Sequence, residues 1–180
     1  MKLHSEDGQS LVELALTIPL LLLMLMGMAE LGQICYGAID VSNAAKAAAQ
    51  YGAQTSTTAV DTAGMLAAAQ NEIGTVPGQV GSLDMPAATT MPDGSALPAG
   101  TVCKTSGSSH SCSYCSCSSP NSAQTPFACG ATNALSQCAG ISQLEQNIII
   151  QTHVTMNPLV SLPGMSTFNL YGHAVVKRLQ

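Results

Sequence analysis

A chain of 180 residues with a formal net charge of -5 and only five lysines and arginines has no basic surface with which to neutralise phosphates, which argues against a nucleic-acid partner. Its size fits one domain, or a small domain plus an anchor. The apolar residues are concentrated near the N-terminus, and the remainder is rich in Ala, Ser, Thr and Gly with no Trp, so few large apolar side chains are left for a core and staples or a partner assembly are expected.

The first element is apolar. Residues 14–28 read LALTIPLLLLMLMGM and carry no charge. With Leu11 and Val12 they approach the length of a membrane span, predicting a helix from about Ser10 to Ala29 with Glu30 and Gln33 near the far interface. Pro19 removes a backbone donor and is expected to kink or loosen that helix. A cleaved signal peptide would need a basic n-region and a small-x-small site. Only Lys2 is basic, Glu6, Asp7 and Glu13 are acidic, and the run ends Met28-Ala29-Glu30-Leu31. A retained anchor fits better, because residues 38–54, AIDVSNAAKAAAQYGAQ, remain helix-compatible.

Glu13 stands at the mouth of this run. An unpaired acid at the centre of a bilayer costs about 2.5–3.5 kcal/mol on insertion scales. Glu13 is therefore at headgroup level, where it would also favour the helix N-terminus, or it is paired, or both.

The stretch Gly8-Gln9-Ser10-Leu11-Val12-Glu13 before an apolar helix resembles the cleavage motif of type IV prepilins and pseudopilins. GQSLVELAL followed by IPLLLLML is similar, more closely, to the TadE-like pseudopilins of tight-adherence (Tad) pilus systems. The closing MNPLVSLPGMSTFNLYGHAVVKR also resembles that family's final hairpin. The resemblance implies that a prepilin peptidase cuts after Gly8 on the cytoplasmic side, leaving residues 1–8 as a leader and Gln9 as the new N-terminus. Glu13 then occupies the fifth mature position and pairs with the terminal amine of a neighbouring subunit. Two features depart from the family pattern: the leader is acidic, and Gln9 stands where Phe or Met is usual.

Residues 9–54 are expected to form one helix, with Gly27, Gly32 and Gly37 at the membrane exit. Small residues there allow close packing, either against other pilins or under this chain's own sheet. Thr58-x-x-Asp61 resembles a capping box for a helix over 58–74, with Ala59, Ala63, Leu66 and Ile73 on one face and an end near Gly74. Residues 75–145 are expected to be a Cys-rich irregular region, with at most a short strand around Gly100–Thr105.

Cys103, Cys112, Cys115, Cys117, Cys129 and Cys138 are an even, dense set in a core-poor region, which reads as three disulfides made in an oxidising compartment. Six cysteines permit fifteen pairings, and spacing does not choose among them. The competing reading is zinc at Cys112-x-x-Cys115, but no second well-spaced pair accompanies it. Cys35 reads as a small apolar packing residue.

Two strands close the chain, over 146–180. Ile148, Ile150, Thr152, Val154 and Met156 share one face, with Gln151, His153 and Thr155 opposite. Phe168, Leu170, Ala174 and Val176 alternate likewise, predicting an antiparallel hairpin whose apolar face covers the long helix. His153 and His173 fall on the polar faces and read as solvated side chains.

The fold class is therefore α+β: a long N-terminal helix on a small antiparallel sheet, with a disulfide-stapled region between. No Ser/His/Asp order, phosphate loop or carboxylate dyad points to catalysis, so no enzyme, cofactor or metal is expected. The expected partners are a prepilin peptidase, other pilin subunits and the lipid bilayer. The chain would be a single-pass inner-membrane protein, its region 55–180 outside the cytoplasm or in a pilus. The alternative is an anchored, disulfide-stapled binding module with no filament role.

Overall fold

The computed structural model describes residues 6–74, 76–118, 125–129, 138, 143–159 and 166–179. Most of the leader (1–5), much of the cysteine-rich stretch and the middle of the expected hairpin loop (160–165) lie outside the described residues.

Helix α1 runs from Glu6 to Ala53, 48 residues, and is unbroken at Pro19. At 1.5 Å per residue it is about 72 Å long. Its two halves differ. Residues 8–29 are exposed on every side, which in water would leave an apolar rod unburied. From there on, Gly37, Val41, Ala44, Ala45, Ala48, Ala49 and Gly52 are buried. They recur at intervals of three and four, so they form one stripe that packs into the chain's own core.

The chain then turns back. Thr55 and Thr58 exchange backbone-to-hydroxyl hydrogen bonds, Thr55 N to Thr58 Oγ1 at 2.9 Å and Thr58 N to Thr55 Oγ1 at 3.1 Å. This reciprocal cap starts a 3-10 turn over Thr58–Val60. Helix α2 follows over Thr62–Ile73, and its N-cap is Asp61, which accepts from Gly64 N at 2.9 Å. The expected Thr58/Asp61 box is thus split between two caps. Of the expected face, Ala59 and Ile73 are buried and Leu66 packs against the core, but Ala63 is exposed, and Thr62, Met65 and Ala69 are buried beside them.

The sheet is antiparallel and has five strands: β1 Gln79–Asp84, β2 Val102–Ser106, β3 Ser109–Ser118, β4 Gln143–Met156 and β5 Phe168–Leu179. The long strand β4 is central. β5 pairs with it along its whole length, from Glu145 opposite Leu179 to Met156 opposite Phe168. The other edge of β4 is shared. β1 pairs with its C-terminal end and β3 with its N-terminal half, and β2 borders β3. β1 and β3 run in the same direction and meet at Met85 and Ser109, so they act as one interrupted strand from which residues 86–108 loop out.

The hairpin and its alternation are as the sequence predicts: Ile148, Ile150, Thr152, Val154 and Met156 face α1 and are buried. Burying each of the large apolar side chains contributes about 1.5–3 kcal/mol. The irregular reading of 75–145 is corrected, because three strands come from it, of which only β2 lies near the expected short strand. The signal is weak because β3, SHSCSYCSCS, has one aromatic and no aliphatic residue. Its alternation is carried by cysteines whose burial depends on partners far along the chain. The second sheet face is covered too. Ala88, Met91 and Leu97 of the excursion pack with Tyr114 and Val175 over Ile149 and Cys112. Gln151, expected on a polar face, is buried as well.

Candidate functional site

Gly8, Gln9 and Glu13 lie on the first turns of α1, exposed. A helix brings residues four apart onto one face, so Gln9 and Glu13 stand one turn apart, side by side. A Cβ added at Gly8 would meet nothing within 4 Å, so no packing within the chain demands glycine there. Glu13 makes no hydrogen bond or ion pair with any described residue. No charged residue follows it until Glu30. The arrangement is one carboxylate, Glu13, within an otherwise uncharged apolar rod that runs from Gly8 to Ala29.

At the other end of the rod the globular part begins at once. Glu30 Oε2 accepts the backbone N–H of Leu159 at 2.8 Å. Gln33 Nε2 donates to Pro77 O at 2.6 Å, and Asn157 N donates to Gly78 O at 2.7 Å. Two loops, 76–78 and 157–159, thereby close on α1 within a turn of the apolar run. A Cβ at Gly37 would come within 2.7 Å of Met156 Sδ, so a glycine there lets the sheet reach this far down the helix. The sequence placed Glu30 and Gln33 near the interface but carried no signal for their loop partners, which are more than forty positions away in the chain. Cys35 is free and exposed, on the helix face turned from the sheet. It is not packed in this chain's core as expected, because the buried stripe passes through Gly37 and Val41 instead.

The six clustered cysteines form three disulfides: Cys103–Cys112, Cys115–Cys129 and Cys117–Cys138. Cys103 and Cys112 are directly opposed across β2 and β3. Side chains alternate along a strand, so Cys112 and Cys115 point to opposite faces of β3 and cannot grip one ion. Cys115 and Cys117 share the other face, where with Leu144 and Phe127 they make a small core of their own. Sulfur does the work that large aliphatic side chains do elsewhere.

The histidines differ from the solvated reading. His153 Nδ1 lies 2.8 Å from Asp84 Oδ1, and its ring stacks at a tilt on Tyr171 with centroids 4.8 Å apart. His173 Nδ1 is buried with no partner among the described residues. His153 reaches Asp84 because β1 borders β4 at that point. Among the described residues no three His, Cys, Asp or Glu side chains converge as metal ligands would.

The carboxylate of Asp61 is held below the usual range by the Gly64 N–H and then by the Tyr51 hydroxyl, which donates to it at 2.9 Å. The same hydrogen bond raises the Tyr51 phenol. This contact ties the cap of α2 to the end of α1.

Residues 8–50 match the family model described as TadE-like protein, a match confined to the long N-terminal helix. No curated protein and no solved structure matches the chain.

Proposed function

We propose that this chain, whose residues 8–50 are TadE-like, is a membrane-anchored pseudopilin: a non-enzymatic structural subunit of a Tad-type pilus. The family points to a pilus-associated protein. The finer reading rests on one observation. Residues 8–29 of α1 are exposed on all sides and uncharged but for Glu13, which sits unpaired one turn beyond Gln9. Such a rod needs lipid before assembly and neighbouring helices afterwards.

In this reading a prepilin peptidase cuts after Gly8. Gln9 then carries an α-amino group with a reference pKa of about 7.7–8.0, largely protonated at neutral pH. Glu13 meets the amine of an adjacent subunit, and each charge offsets the desolvation of the other. The pair sets the register in which a subunit enters the filament. Three disulfides support an extracytoplasmic location for region 55–180, since such bonds persist in oxidising compartments.

The test is the N-terminus of the membrane-extracted protein by mass spectrometry. A chain beginning at Gln9 is expected, and a bulky residue in place of Gly8 should abolish it. A mature start near residue 30 would mean that the span is removed as a signal peptide, and the pseudopilin reading would fall.

A further inference from the structure

Glu30 is the first charged residue after the apolar run. The Cα–Cβ bonds of a helix tilt toward its N-terminus, so the Glu30 carboxylate reaches back toward the apolar rod. Its 2.8 Å bond to Leu159 N therefore fixes the level of Leu159 along the helix axis. If the roughly 20 apolar residues before Glu30 fill the hydrocarbon layer, Leu159 stands at its edge. The Leu159 side chain is nevertheless 59% exposed. Around the helix at the same level Leu31 is 65% exposed, and Tyr36 is 72% exposed. Tyr36 lies about 9 Å farther along the axis, at headgroup height. Exposed apolar side chains thus extend from residues 8–29 through Leu31 to Leu159, just past the end of β4.

We infer that Leu159, with Leu31 and Tyr36, is a second membrane contact, by which the β4–β5 end of the sheet is seated in the interfacial layer of the bilayer that α1 crosses. This rests on the reading of α1 as a span. The chemistry suits the depth: a leucine at the acyl boundary, and an amphipathic tyrosine ring where apolar and wet layers meet. The two loops bound to Glu30 and Gln33 leave no stalk between sheet and lipid. Continuity with the exposed rod selects lipid as the occupant.

The chain contains no Trp, so a single introduced Trp reports its own surroundings. Leu159→Trp, Leu20→Trp and Val102→Trp are made in the full chain. Each is reconstituted in vesicles of phosphatidylcholine with a minor share of phosphatidylglycerol, brominated either high or low on the acyl chains. Leu159→Trp should emit to the blue of a solvated indole and lose more intensity to the high bromines than to the low ones. Leu20→Trp should lose more to the low bromines, and Val102→Trp, on the far strand β2, should lose none. Solvent-like, unquenched emission from Leu159→Trp beside a quenched Leu20→Trp overturns the seat and leaves the span standing. Blue-shifted emission from Leu159→Trp that neither bromine quenches also overturns it, since protein then covers the site. An unquenched Leu20→Trp removes the span and the seat together.

Discussion

The Thr152 hydroxyl donates a 2.8 Å hydrogen bond to the backbone carbonyl of Val41, and both residues are 0% exposed. A helix carbonyl has a second lone pair beyond its intrahelical bond. Here a β4 side chain takes it, in the middle of the core. The bond pins the height of α1 on the sheet. Thr152→Val keeps the shape and removes the donor, so it should destabilise by about 1 kcal/mol. Denaturant unfolding of the detergent-solubilised chain, followed by tyrosine circular dichroism, reads this. An unchanged midpoint would show that the bond contributes nothing net.

Two glycines at the same interface should respond differently to alanine. A Cβ on Gly172 would collide with the carbonyl of Val41 and lie 2.6 Å from Thr152 Oγ1. Backbone cannot yield cheaply, so Gly172→Ala should cost about 1–3 kcal/mol by overpacking. A Cβ on Gly37 meets Met156 Sδ and Leu170 Cδ1, the ends of flexible side chains. Gly37→Ala should therefore be milder. Thermal unfolding of the two variants beside wild type tests the ranking, and equal losses would refute it.

The disulfides should rank by loop length. Their sequence separations are 9, 14 and 21 for Cys103–Cys112, Cys115–Cys129 and Cys117–Cys138. On the loop-entropy account they stabilise by about 2.7, 3.0 and 3.4 kcal/mol respectively. Paired Cys→Ser variants should lower the unfolding midpoint in that order. Thiol labelling of the denatured, unreduced chain should find Cys35 alone. Additional labelled cysteines in protein taken from its native compartment would contradict the pairing.

Asp61 makes one arm of the stability profile acid-sensitive. Its carboxyl is held below the ordinary value by the Gly64 N–H first and the Tyr51 hydroxyl second. A folded-state pKa below the unfolded one gives stability that is complete above the unfolded pKa and lost as pH falls through the folded one. Asp61→Asn keeps a capping oxygen without the charge, so it should flatten the acid arm while changing neutral-pH stability less than Asp61→Ala. Unfolding midpoints measured from neutral pH down through the carboxylate range check this; parallel profiles for wild type and Asp61→Asn would refute it.

Glu13→Gln separates insertion from assembly. Removing a charge at the edge of a span eases insertion, so the variant should reach the membrane and still be cut after Gly8. Uptake into the filament should fall by orders of magnitude, because an unpaired buried amine costs on the order of 3–5 kcal/mol. The reading is the ratio of variant in sheared pili to variant in membranes. A wild-type ratio would reduce Glu13 to a headgroup-level residue at the helix end.

What the sequence determines by itself is whatever repeats at short range. The uncharged run through Met28, the alanines at 44, 45, 48 and 49, and the alternation of Ile148 through Met156 each have a period visible in a few residues. Each dictates its element without reference to distant parts of the chain, and the strand alternation dictates its buried face as well. Tertiary structure alone decided the rest. β3 is a strand because β4 pairs with it and because sulfur bridges, formed with residues up to 21 positions away, fill its faces. Ile149 is buried because the excursion after β1 folds over it, and His153 meets Asp84 across a pairing 69 residues apart. In each case the deciding contact joins groups distant in sequence, and a local pattern holds no record of which distant group arrives.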